Sequence, residues 1–324
     1  MTRRPWLAVS LVFLLVAASI GAFVLTRDRQ DASTTPPSVE RADGLTLLIV
    51  RARGGPFAVV IGSTGNDDGA LVLPSEIRLT VPGQGDATLG EALALPPRQA
   101  ATTVANLLGL WVDHYALVGP DRLSQVVERA GGIGVGDEVL DGDSTVAMLE
   151  DAGDGATSAL ALIVDGLLQA EVAWEPSDFA QADAPSSVAA AFEAARGAPV
   201  ATVPAVEAAT DIFRAEPEAL RRTIVDVFGG PDRAVVGVIV LNGSGVPGVG
   251  ELVAERIVPD GFRIVISENA SNFDHDETLV VVGSADDVVL GERVRDLLGT
   301  GSVNVSVASG IAPVTVVVGK DFGD

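Results

Sequence analysis

Hydrophobic and polar positions divide this chain into three patterns. Residues 6–26, WLAVSLVFLLVAASIGAFVLT, run for 21 positions without a charge. As a helix that length is roughly 31 Å, enough to cross a bilayer core. The following polar stretch, rich in Pro, Ser, Thr and charge, predicts a flexible tether over 27–42. Beyond it, short apolar runs alternate with segments of helical spacing. The runs LTLLIVRA (45–52), FAVVIGS (57–63) and ALVLP (70–74) predict strands. Ala101, Val104, Ala105 and Leu108 recur at helical spacing and predict a helix over 98–110. WVDHYALVG (111–119) predicts a strand, and 120–135 a helix closed by Gly131-Gly132. Two more helices are predicted at 141–151 and 155–174, an Ala-rich helix within 175–200, and a strand and helix over 210–230. Such alternation predicts an α/β domain.

The last ninety or so residues repeat the alternation on a smaller scale. A strand, AVVGVIVL (234–241), leads through the turn NGSGVPGVG (242–250) into a helix, ELVAERI (251–257), and a strand, FRIVISENA (262–270). After SNFDHDETLVVVG (271–283) come a helix around 289–299 and the terminal segments SVNVSVA and APVTVVVGKDF, expected as paired strands. The strand–NGSGVPG–helix opening, the FD…ETLVVV segment and the final VTVVVGKDF resemble the C-terminal domain of the LytR family of cell-envelope proteins. The helix end at Gly229-Gly230 sets the boundary at Pro231-Asp232, and the resemblance gives the whole chain an envelope context.

Upstream, RADGLTLLIV, VLPSEIRLTVPG, NLLGLWVDHYALVGPDRLSQVVERAGGI and LDGDSTVAMLED are similar to the extracellular domain of the LytR–CpsA–Psr (LCP) family. The resemblance implies a mixed central sheet and the transfer of polyprenyl-pyrophosphate-linked glycopolymer onto peptidoglycan. Where that family follows its Leu-Pro step with Arg-Asp-Thr-Arg, this chain has Ser75-Glu76-Ile77-Arg78. Arg78 alone survives in kind, and Asp43 matches one acidic ligand of the family. The family's Lys-Ile-Asn becomes Thr88-Leu89-Gly90, and its arginine-rich stretch becomes MLEDAGDGATSALAL. Binding a pyrophosphate takes Arg or Lys forks or a metal, since only these offset the desolvation of the anion. Between residues 86 and 174 there are only Arg98, Arg122 and Arg129, and the seven-residue spacing of the last two predicts a solvated helix face.

Composition narrows the function classes. With no cysteine there is no disulfide, thiolate nucleophile or cysteine-held metal. A net charge of −23 with a single lysine, Lys320, leaves no basic face for nucleic acid. Gly243-Ser244-Gly245-Val246-Pro247-Gly248 has the spacing of a dinucleotide-binding turn, with Glu268 20 residues beyond. The domain is too short for two mononucleotide halves, so a tight strand-to-helix turn is expected. His114 and His275 are the only histidines, and the acidic run from Asp137 to Asp154 lacks EF-hand spacing.

The sequence therefore predicts a cytoplasmic tail (1–5), a transmembrane anchor (6–26), the tether, an LCP-like α/β domain (43–230) and a small α/β C-terminal domain (232–324). Arg3 and Arg4 bias the tail inward, so the bulk is expected outside the cell membrane. The leading expectation is a non-catalytic binding or scaffold protein. Its expected partners are the membrane, LCP enzymes, wall glycopolymer, peptidoglycan or polyprenyl lipid. Candidate binding residues are Asp43, Arg78, Gly243, Gly245 and Gly248, with no catalytic or metal site. Two alternatives stay open: an active phosphotransferase, the one reading that calls for Mg²⁺, and a nucleotide-binding protein using the Gly243–Gly248 turn.

Overall fold

The structure, a computed structural model, describes residues 44–64, 67–210, 212–229, 235–306 and 310–323. The anchor, the tether, Asp43 and the Pro231-Asp232 boundary lie outside the described residues. Among the described residues, no helix is long and apolar enough to cross a membrane.

The first part opens with a meander, β1 (Leu45–Ala52), β2 (Gly55–Ser63) and β3 (Asp68–Leu73). A hairpin, β4 (Arg78–Val81) and β5 (Gly85–Thr88), leads to α1 (Leu89–Leu93) and α2 (Pro97–Leu108). Then come β6 (His114–Val118), α3 (Pro120–Arg129), and a second hairpin of β7 (Ile133–Val135) and β8 (Glu138–Leu140). They are followed by α4 (Gly142–Glu150), α5 (Ala156–Gln169), β9 (Gln181–Ala182), α6 (Pro185–Ala194) and β10 (Val200–Thr202). A third hairpin, β11 (Ala205–Ala209) and β12 (Ile212–Ala215), precedes α7 (Pro217–Phe228). Proline at the first position of α2, α3 and α7 costs no hydrogen bond and presets the helical φ.

Among the described residues the central sheet runs β10-β3-β2-β1-β6-β9 and is mixed: β1 pairs antiparallel with β2 and parallel with β6. One face, with Leu47, Ile49, Val60 and Leu71, packs under α1, α2 and α7. The other, with Leu48, Val59, Ile61 and Val118, packs under α3, α5 and α6. Burial on both faces explains why the meander strands read as continuous apolar runs. On the second face Trp174 stacks on Phe179 and Phe192, with ring centroids 5.6 and 4.4 Å away.

The second part comprises β13 (Val236–Asn242), α8 (Val249–Ile257), β14 (Phe262–Asn269), β15 (Leu279–Val282), α9 (Val288–Leu298), β16 (Ser302–Val305) and β17 (Val314–Val318). Its sheet order is β14-β13-β17-β15-β16. The two terminal strands are therefore not paired with each other. β16 pairs parallel with β15 because α9 carries the chain over in a β–α–β crossover, and β17 inserts between β13 and β15. The predicted helix over 120–135 is also shorter than expected. It stops at Arg129, and Ile133, only 1% exposed, turns into the core as the first residue of β7. The helix predicted over 155–174 ends at Gln169, and Val172 and Trp174 are buried from irregular backbone.

The described residues pack as one compact unit. The buried face of the second sheet (Val238, Val240, Phe262, Ile264) belongs to the same apolar cluster as α2 and the first sheet. β14 is an edge strand, and edge strands expose unpaired backbone groups. Here the first part covers it. The Asn106 side chain accepts from Ile264 N–H (2.7 Å) and donates to Ile264 C=O (2.9 Å), standing in for a neighbouring strand. Thr80 Oγ1 donates to Val265 C=O (3.0 Å), and Arg98 pairs with Glu255 at 2.8 Å.

Candidate functional site

Two regions contain the residues that the sequence singles out. The first is the turn leaving β3. Ile77 N–H donates to Pro74 C=O, closing a β-turn that leaves Glu76 exposed and Ser75 half-buried. Arg78 starts β4 opposite Thr88. Thr88 caps α1 in a reciprocal box: Glu91 N–H donates to Thr88 Oγ1, and Thr88 N–H donates to Glu91 Oε2. The Glu91 carboxyl lies below its ordinary range, first because of these Thr88 bonds and last because of the Arg78 charge. The Arg78 charge thus acts on one carboxylate, Glu91, and Arg214, from the strand that bridges Ile77, is paired with Asp86.

The second region is the turn after β13. Gly245 and Gly248 take φ of +76° and +80°, the left-handed region that glycine adopts without strain. The Asn242 carboxamide organises the turn. Its Oδ1 accepts from Ser244 N–H (3.2 Å), Ser244 Oγ (3.0 Å) and Gly245 N–H (3.0 Å), and its Nδ2 donates to Val246 C=O (2.9 Å). The amides that face a phosphate in a dinucleotide turn are therefore bonded within the loop. Gly243 backs onto His275, whose ring would lie 2.7 Å from an added Cβ.

This turn borders a cavity of about 480 Å³ at the carboxyl ends of β13 and β14. The β4–β5 turn closes one side: Gly83 N–H donates to the buried Ser267 Oγ (2.7 Å). The approach is close, since a Cβ on Gly250 would sit 2.4 Å from Gly83 N. The cavity lies beside the paired carboxyl ends of β13 and β14, next to the α8 crossover that joins them. Gln84, Gln99, Glu268, Asn269 and Phe273 also line it, and no Lys, Arg or His does.

The other singled-out residues have structural partners. His275 N–H donates to Gly243 C=O, and Lys320 pairs with Asp276 at 2.8 Å. His114 is the exception: its buried Nδ1 lies 3.5 Å from Asp183 and makes no hydrogen bond among the described residues. Asp141 caps α4, Asp143 accepts from Ser124, and Glu150 faces Arg53, which accounts for three members of the acidic run. Arg129 does not lie on a purely solvated face. It forks onto Asp178, which is 1% exposed, because α3 ends against the turn that holds that carboxylate. Among the described residues, no three His, Asp or Glu side chains converge to hold a metal. Sequence reasoning found Gly245, Gly248 and Glu268 but missed Gln84, Gln99 and Phe273. No spacing signal marks those three, because they meet only when the β4–β5 turn and α2 dock on the second sheet.

Residues 235–322 match the family model for the LytR cell envelope-related transcriptional attenuator. The C-terminal part of this chain is LytR-like. The match spans all the described residues of the second sheet and its two helices. A comparison with curated proteins finds no match. Among solved structures, Bacillus subtilis TagV is similar at 14% identity and a TM-score of 0.46, over 58% of this chain and 98% of that one. A LytR-Csp2A-Psr enzyme from Actinomyces oris is similar at 14% identity and 0.45, over 62% and 93%. The LytR-CPS2A-psr family protein TagT of B. subtilis, solved with bound octaprenyl pyrophosphate lipid, is similar at 13% identity and 0.43, over 61% and 95%. The neighbours are thus LCP proteins, at identities that transfer no residue roles.

Proposed function

We propose that this chain is a single-pass, membrane-anchored envelope protein that binds or scaffolds wall components and does not itself transfer glycopolymer. The LytR match over 235–322 supports the envelope role. The turn after β3 carries the non-catalytic reading. Ser75 and Glu76 stand where the LCP family sets Arg and Asp, and of that set Arg78 alone remains. A charge-assisted hydrogen bond to an anion is worth about 1.5–3 kcal/mol, and here the groups for several are missing together. The partners that this reading calls for are the cytoplasmic membrane, LCP enzymes, wall glycopolymer, peptidoglycan or polyprenyl lipid.

The test offers the purified full-length chain a polyprenyl-pyrophosphate-linked glycan, with and without Mg²⁺, and follows pyrophosphate release and glycan transfer. Neither product is expected, and lipid binding, where present, is expected to be independent of metal and of Arg78→Ala. Metal-dependent turnover that Arg78→Ala or Asp43→Ala abolishes would promote the transferase reading instead.

A further inference from the structure

We infer that the cavity between the β4–β5 turn, α2 and the Asn242–Gly250 turn is a binding site for an uncharged saccharide. Three observations carry this. The first is the character of its polar groups. Gln84, Gln99 and Asn269 contribute carboxamides, and none of these side chains is hydrogen-bonded to another described residue. A carboxamide both donates and accepts, as a sugar hydroxyl does, so neighbouring hydroxyls can be matched in pairs. The second is Phe273, 46% exposed at the rim and backed by Gly245, whose added Cβ would lie 3.2 Å from it. A pyranose ring presents a face of C–H groups, and an exposed aromatic side chain offers such a face an apolar surface.

The third observation is electrostatic. The lining holds no cation, and Asn242 already occupies the loop amides of Ser244 and Gly245. A phosphate or nucleotide would meet no fork to offset its desolvation. A neutral polyol has no charge to desolvate. The volume of about 480 Å³ falls among ordinary small-molecule sites, about 300–1,000 Å³. The assignment rests on the envelope reading only for the choice of amino sugar as probe.

The experiment titrates the full-length chain, in a non-glycosidic detergent, with three soluble probes: an N-acetylated amino-sugar disaccharide, a neutral hexose disaccharide and inorganic pyrophosphate. Backbone amide NMR reports binding, and sedimentation with purified wall sacculi runs alongside. At least one disaccharide is expected to shift amides of Gly83, Gln84, Gly248 and Phe273, with an affinity insensitive to salt. Phe273→Ala and Gln99→Ala are each expected to weaken it about three- to tenfold, the scale of a single weak interaction. Pyrophosphate is expected to leave those amides unmoved. Disaccharide shifts absent from the cavity, or unchanged affinity in both variants, would overturn the site. Pyrophosphate shifting those amides would overturn it too. If the chain still sediments with sacculi in any of these cases, only the site falls and the envelope-binding reading stands.

Discussion

At the scale of single residues, Asn106 joins the two parts of the molecule. It is 2% exposed, and its carboxamide satisfies both backbone groups of Ile264 on the edge strand. Truncation to alanine leaves a buried N–H and a buried C=O without partners, at about 1–3 kcal/mol each. Asn106→Ala is therefore expected to lower the urea midpoint by an amount equivalent to about 2–6 kcal/mol. Gln84→Ala, at an exposed position, is expected to change it by less than about 0.5 kcal/mol. A midpoint for Asn106→Ala equal to that of Gln84→Ala would show that the second sheet does not depend on this clamp. Nothing in the sequence marks Asn106. It sits in a helix otherwise read correctly from its apolar spacing, and its partner lies 158 residues away. The Asn242 turn is the opposite case: its bonds span at most four residues, and the NGSG pattern already predicts a tight turn.

At the scale of elements, local pattern and long-range pairing separate in the same way. β1 lies where its apolar run places it, Leu45–Ala52, and the helices of the second part lie within two residues of expectation. What the pattern does not carry is which strands pair. β16 and β17 are adjacent in sequence but separated in the sheet by β15. Short strands such as Gln181–Ala182 and Val200–Thr202 have no period to read, and they form only because β6 and β3 offer them open edges. The same dependence makes a prediction about the fragment 232–324, proposed as a separate domain. It contains complete β–α–β units, so it is expected to fold and melt cooperatively. It also lacks the β4–β5 hairpin and Asn106 at the edge of β14, and α2 at the flank of α8. An uncovered, partly apolar edge strand recruits copies of itself. The fragment is therefore expected to melt at a lower temperature than the same residues in the full chain, and to self-associate with rising concentration in sedimentation velocity. A strictly monomeric fragment, as stable as the full chain, would mean that the covering by the first part is incidental.

At the scale of the whole molecule, the distribution of charge and apolarity favours one arrangement across a membrane. The 6–26 segment has 21 uncharged residues, and its apolar run continues past the small-residue stretch Val16-Ala17-Ala18 to Leu25. A cleaved signal needs an apolar core of only about 7–15 residues ending at such a site, so the extra length favours retention as an anchor. Arg3 and Arg4 precede the segment without acidic neighbours, while Arg27 and Arg29 follow it among Asp28 and Asp31. The inner leaflet is anionic and holds unopposed arginines, whereas a chain with 44 acidic and 21 basic residues gains nothing beside it. The tail is therefore expected inside and the rest, from Arg27 onward, outside. Protease added to intact spheroplasts is expected to digest an epitope placed after Asp324, and mass spectrometry of untreated protein to recover the N-terminus ahead of Trp6. A protected C-terminal epitope would reverse the topology, and a mature chain beginning near Ser19 would turn the anchor into a removed signal and leave the two sheets free of the membrane.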